Sequence, residues 1–146
     1  MCRNIGKILL SGAIFAAIGV AINTVVAMLT TGYYKNPDYF AVWSKMMMPT
    51  AGPPPVSFTI YSLLFLFIGG VLFALVYDAV KKSVKRKSTV ETGLFYGLLV
   101  FLVAGIPSSL SLILLINLPL ELIITWALSE LVGYLIGGIV TAKLIK

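Results

Sequence analysis

Glu130 is the residue in this sequence with the most chemistry to explain. It stands in the stretch Trp126-Ala-Leu-Ser-Glu130-Leu-Val-Gly133-Tyr-Leu-Ile-Gly137-Gly, the one charged side chain between Leu122 and Ala142. An ionised carboxylate at the middle of a lipid-spanning helix costs about 2.5–3.5 kcal/mol even on insertion scales. A carboxyl that keeps its proton and makes neutral hydrogen bonds is therefore expected, unless water reaches it. Two roles fit such a group: a structural pin between helices, or a proton site that loads and unloads during transport. The pin is the favoured reading, because buried polar residues in membrane bundles commonly serve packing.

Little else in the chain is equipped for chemistry. There is no histidine, which removes the commonest general base and metal ligand and most haem and zinc schemes. Cys2 is the only cysteine, so an internal disulfide is excluded, and it reads as a bystander thiol. Asp38, Asp78, Glu91 and Glu121 are scattered and share no metal-binding spacing. No catalytic, cofactor or metal residue is assigned. The polar groups that could meet Glu130 are the Asn23 amide and the hydroxyls of Ser108, Ser109 and Ser111, beside the helix-breaking Pro107.

These groups have to be positioned by helices. The chain of 146 residues is 60% hydrophobic and 11% charged, against about 25% charged for soluble domains. No charge lies between Lys7 and Lys35, between Lys45 and Asp78, or between Glu91 and Glu121. A lipid-spanning helix needs about 20 apolar residues. The reading is an all-α, polytopic membrane protein of one domain, a bundle of four spans at about 8–30, 57–79, 92–116 and 120–142. At a rise of 1.5 Å per residue, Glu130 lies roughly 20 Å from Lys143, Asn23 roughly 24 Å from Lys7, and Pro107 and Ser108 roughly 24–26 Å from Glu91. Glu130, Asn23 and the serines are thus expected to share one layer and form a polar cluster.

Small residues mark the packing faces, because they let membrane helices approach closely. Gly12 and Gly19 share a face of the first span with Ala16 and Asn23. Gly69 lies in the second, Gly93 and Gly97 form a GxxxG pattern in the third, and Gly133 and Gly137 follow Glu130 in the fourth. Pro107 should bend the third span by removing a backbone bond to residue 103, and serine hydroxyls can satisfy groups so freed. Asn117-Leu-Pro119 is a tight turn, so the third and fourth spans are antiparallel neighbours.

The connections set the threading. Asn36-Pro37-Asp38 has the chemistry of a helix start, and a short amphipathic interfacial helix is expected over about 37–48. Its aromatics Tyr39 and Trp43, with Tyr33 and Tyr34, read as interfacial anchors, with a lid or partner surface as the alternative. The loop Lys81-Lys82-Ser-Val-Lys85-Arg86-Lys87 carries five positive charges in seven residues. It reads as a topology determinant, and alternatively as a site for anionic lipid. Placing both termini inside puts nine of the 11 Lys and Arg on the cytoplasmic side and only Lys35 and Lys45 outside. A multi-pass protein of the cell membrane with both termini cytoplasmic follows from that bias. The positive charges flank apolar spans, so the net charge of +6 points to membrane rather than nucleic acid.

From Tyr77-Asp-Ala-Val to Leu144 the chain resembles an uncharacterised family of small four-helix prokaryotic integral membrane proteins. The resemblance is carried by Gly93/Tyr96-Gly97, Gly105-Ile-Pro107, Leu118-Pro119-Leu, Trp126, Leu131-Val-Gly133-Tyr134 and Gly137-Gly138. It covers about half the chain and implies the four-helix architecture, with no catalytic residues. The small multidrug exporters also have four helices and one intramembrane carboxylate. Theirs lies in the first helix, which carries none here, so their function does not transfer.

Three functions compete. A non-enzymatic membrane protein that packs, or binds a membrane-protein partner or a second copy through its small-residue faces, is favoured. A small proton-coupled transporter using Glu130 is the alternative, and a membrane enzyme is the least supported.

Overall fold

In lipid every backbone N–H and C=O must be paired within its own segment, so long apolar stretches become helices. The computed structural model describes residues 5–50 and 52–146; Cys2 and Arg3 lie outside the described residues. Helix α1 is Ile5–Leu29, α2 Thr31–Lys35, α3 Val56–Val84, α4 Thr89–Val100, α5 Ile106–Leu115 and α6 Leu120–Leu144. A π turn, Phe101–Gly105, joins α4 to α5, so Thr89–Leu115 is one continuous span. The described residues are all helix and loop, with four helices long and apolar enough to cross a membrane: α1, α3, α4–α5 and α6. The protein is a multi-pass membrane bundle.

Helix ends extend past the sequence-derived bounds where polar groups close the last turns. Ser88 caps α4 by accepting from the Glu91 amide at 3.1 Å, and Glu91 sits at the favourable positive end of the helix. The third span therefore begins at Thr89 rather than 92. Helix α3 runs on to Val84 and carries Lys81 and Lys82 in its last turn, where cations complement the helix dipole.

The expected interfacial helix over 37–48 is corrected. Asn36 does accept from the Asp38 amide at 3.1 Å, but only a single 3-10 turn, Pro37–Tyr39, follows. Ser44 then opens a separate turn, accepting from the Met47 amide with its side chain at 3.2 Å. Such local side-chain bonds compete with a continuous helix, and a helix this short is marginal by itself. The aromatics turn inward as well: Trp43 packs on Tyr34 at 4.9 Å and on Trp126 at 6.3 Å between ring centroids.

Helix α6 is central, with α4 on one side and α1 on the other, and α3 packs on α1. Glycines set the approach distances. A Cβ on Gly93 would sit 2.5 Å from Ile139 Cα, and one on Gly97 would strike the Tyr134 carbonyl. Gly138 faces the Gly93 carbonyl equally closely. On the other side Gly12 meets Val71, Gly19 meets Leu66, Gly70 meets the backbone of Gly12, and Gly137 lies under the Phe15 ring. Two expectations are corrected. Gly69 faces open space and its neighbour Gly70 makes the contact, while Gly133 has only Ile22, at an ordinary 3.7 Å.

The core is concentrated toward one end of the bundle. Ile8, Phe73, Ala74, Tyr77, Val84, Tyr96, Ala142 and Ile145 form it. Its aromatic centre stacks Phe73 on Tyr134 at 5.8 Å and 7°, and the Tyr96 hydroxyl donates to the Phe73 carbonyl at 2.7 Å. Ser11 and Thr141 share a buried 2.8 Å hydrogen bond between α1 and α6. At the other end α1 and α3 part beyond the Gly19–Leu66 contact, and α5 buries none of its residues.

Candidate functional site

Three places carry polar chemistry. The first is the Glu130 station. Glu130 is half-buried on α6, and its Oε1 accepts from the Tyr134 hydroxyl at 3.0 Å. The partner is one turn along the same helix, at the i, i+4 spacing that places side chains on one face. Across the interface lies the buried Gly105, whose missing Cβ would sit 3.3 Å from Glu130 Oε2 and would strike the Phe101 ring. The carboxyl of Glu130 thus rests against the end of the π turn. There the Ile106 amide donates to the Phe101 carbonyl, one residue further back than in an α-helix, directly before Pro107.

The serines come to this turn but not to the carboxyl. Ser108 and Ser109 both donate to the Gly105 carbonyl at 2.9 Å, and Ser111 donates to the Pro107 carbonyl at 2.9 Å. They serve backbone oxygens of their own span. Asn23 is a correction to the expected cluster: it lies on the exposed side of α1 and lines a cavity elsewhere. Asn23 and Trp126 of α6 both line that cavity, whereas Glu130 does not, so equal depth along the membrane normal does not bring Asn23 to the carboxyl.

The second place is that cavity, which occupies the gap where α1 and α3 part. Its volume is about 980 Å³, and its walls are mostly apolar: Val20, Phe58, Leu63 and Leu66, with Met47 and Trp43 from the 36–55 connection as a roof. Asn23, Thr24, Thr31, Tyr34, Lys35, Thr59 and Ser62 bring polar groups to it. The indole N–H of Trp43 is buried without an acceptor, the kind of group that a bound molecule or water relieves after a small shift of the roof. Next to the lining residue Tyr34, Tyr33 donates to Glu121 Oε2 at 2.9 Å, tying α2 to the start of α6. That bond to an anionic acceptor holds the Tyr33 phenol above its ordinary value, since losing the phenol proton would lose the bond.

The third place lies at the opposite end, where α3 ends, α4 begins and α6 ends. A cavity of about 350 Å³ is lined by Lys81, Lys82, Lys85, Arg86, Lys87 and Lys146 over a floor of Tyr77, Ala142 and Ile145. Lys81 is committed: its Nζ pairs with Asp78 at 3.0 Å and donates to the Lys146 carbonyl at 3.2 Å. The Arg86 guanidinium lies 3.6 Å from the centre of the Phe95 ring and donates to the Lys85 carbonyl.

Sequence reasoning missed Tyr134 as the partner of Glu130, although the four-residue spacing was available. It also missed Ser11, Thr141 and the Lys146 side of the basic cavity. Serine and threonine on an apolar face give no sign of which helix they will meet. Among the described residues no group of three His, Cys, Asp or Glu side chains could hold a metal ion. Compared with family models, with curated proteins and with solved structures, the chain matches none.

Proposed function

We propose that the protein is a non-enzymatic, membrane-embedded binding protein, threaded with both termini on the cytoplasmic side of the cell membrane. The observation that carries this reading is the cavity of about 980 Å³ between the outer halves of α1 and α3. Its volume falls in the range of ligand sites, about 300–1,000 Å³. The glycine faces do not supply a partner surface, because Gly12, Gly19, Gly70, Gly93, Gly97, Gly137 and Gly138 meet other helices of the same chain. The occupant that suits the cavity is an amphipathic molecule of lipid size, with a hydrocarbon body against Val20, Phe58, Leu63 and Leu66. Its hydrogen-bonding end would meet Asn23, Thr59 or Ser62. None of these three polar side chains has a hydrogen-bond partner among the described residues, and a polar group kept from water is costly until it is paired.

The test is native mass spectrometry of the purified protein, with lipid extraction of whatever co-purifies. Leu63→Trp should fill the cavity and remove the bound mass while leaving thermal stability close to wild type. Wild-type protein that carries no bound amphiphile, and gains none when membrane lipids are added back, defeats the reading.

A second reading, a proton-coupled transporter using Glu130, is favoured by one observation: a single half-buried carboxyl against a π turn, a helical irregularity frequent at functional sites. Against it, Glu130 lines neither of the two cavities, so neither of them leads to its carboxyl. Substrate-dependent acidification of proteoliposomes that vanishes in Glu130→Gln would establish this reading over the first.

A further inference from the structure

We propose that the basic cavity between the end of α3 and the start of α4 binds a phosphate-bearing anion, through Lys82, Lys85, Arg86 and Lys87. The site does not depend on the amphiphile cavity, from which it is separated by roughly 35 Å along α3.

Four observations converge. The lining surrounds a half-open space of about 350 Å³, large enough for a phosphorylated headgroup. Its cations come from three separate parts of the chain: the last turn of α3, the loop before α4, and Lys146 after α6. Among the described residues one ion pair answers them, Lys81 with Asp78, and Lys82, Lys85 and Lys87 have neither a carboxylate nor a hydrogen-bond partner. Like charges gathered around one space repel, so an anion there relieves several unfavourable pairs at once. Finally, the Arg86 side chain is fixed in advance, its guanidinium flat on Phe95, which lowers the ordering cost of binding.

The floor narrows the ligand class. Tyr77, Ala142 and Ile145 are buried below the cations, at 4%, 2% and 0% exposure, so the cavity is apolar beneath and cationic around its mouth. Phosphate is the chemistry that several separate ammonium groups and one guanidinium fork share most readily. The site lies where three spans end, at the level of the membrane surface. A lipid phosphomonoester and a free phosphate or pyrophosphate are the two sources of that chemistry.

The experiment titrates the purified full chain, in non-ionic detergent at 150 mM salt, with dioctanoyl phosphatidic acid, dioctanoyl phosphatidylcholine or inorganic pyrophosphate, reading thermal unfolding. Saturable stabilisation by phosphatidic acid but not phosphatidylcholine is expected. Lys82→Gln with Lys85→Gln should weaken it by about 30-fold, at the contribution of surface lysines to anionic lipid binding. The distant pair Lys35→Gln with Lys45→Gln should leave it unchanged. Pyrophosphate binding as strongly as phosphatidic acid, with the same loss in the double variant, supports the site and assigns it to a soluble anion. If the double variant does not yield folded protein, Lys87→Gln carries the same comparison. No saturable response to either anion, or equal losses in the two lysine pairs, overturns the proposal. Loss of anion binding with the co-purified amphiphile retained, or the reverse, separates this site from the cavity at the other end.

Discussion

Ser11 and Thr141 are joined across α1 and α6 by a buried 2.8 Å hydrogen bond, and Ser11 directly precedes Gly12, which lies against Val71 of α3. The bond thus sits where three helices meet. Interhelical hydrogen bonds in membranes average about 0.6 kcal/mol and reach about 1.7 kcal/mol. A double-mutant cycle of Ser11→Ala and Thr141→Val, read by unfolding in detergent, should give a coupling energy in that range. A coupling indistinguishable from zero would mean that the two hydroxyls find other partners.

The glycine contacts predict a ranking. Gly97→Ala and Gly93→Ala should be strongly destabilising, because the added carbon meets backbone atoms of α6 that cannot swing aside. Gly137→Ala should cost less, since the obstacle is the ring of Phe15, a side chain. Gly69→Ala meets nothing and should gain up to about 1 kcal/mol of helix propensity. Thermal melts of the four variants in one detergent check the order, and a destabilised Gly69→Ala would contradict the packing described.

The hydrogen bond of Glu130 lies within α6 and does not pin two helices, a correction to the expected interhelical pin, and two substitutions at Glu130 should differ sharply. Glu130→Gln keeps an oxygen that can accept from Tyr134, so stability should change by less than about 0.5 kcal/mol. Glu130→Leu leaves the Tyr134 hydroxyl without its acceptor and should cost about 1–3 kcal/mol. Tyr134→Phe in the Glu130→Leu background should recover part of that loss. Equal effects of the Gln and Leu variants would show that the hydrogen bond contributes nothing.

These predictions show what could be read from the sequence and what could not. Spans and their number follow from the spacing of charges, because a charge inside lipid is prohibitive and leaves a one-dimensional record. Contacts do not follow in the same way. Asn23 and Glu130 have similar depths, but depth is one coordinate, and the angle around each helix decides who meets whom. Gly69 and Gly70 are adjacent in sequence and about 100° apart around α3, so a one-residue choice decides between lipid and neighbour. The interfacial helix failed for another reason: Asn36-Pro37-Asp38 does start a turn, but nothing in a local start signal requires that turn to propagate past Tyr39.

Alkaline pH offers a test of the Tyr33–Glu121 contact. The Tyr33 phenol is held above its ordinary value of 10.0 chiefly by its hydrogen bond to Glu121. A group with a raised folded-state value contributes stability that is fully present below the unfolded value and lost as pH rises through the folded one. The Tyr33–Glu121 contribution should therefore be intact at neutral pH and fade above about pH 10. Difference spectra of wild type against Tyr33→Phe should show one tyrosine ionising later than free tyrosine, and Glu121→Gln should bring it back.

Threading is checked by single cysteines placed in a Cys2→Ser background. Lys45→Cys should react with an impermeant maleimide from outside the cell, and Lys87→Cys only after permeabilisation. The reverse pattern would invert both proposed sites relative to the membrane.

The π turn before Pro107 changes how the third span counts its residues. Its Ile106–Phe101 bond accommodates one residue more than an α-helical turn would hold. Elsewhere in the span, removing one residue would rotate everything beyond it by about 100° and turn one face of α5 away from α6. Within Phe101–Gly105 the same deletion would only tighten a wide turn into an ordinary one. Val103, 77% exposed, is the residue to omit. The helix would lose its irregularity while Ser109 and its neighbours kept their bearing, so the span holds a built-in spare position, tolerant of a change in length that the rest of the bundle would reject.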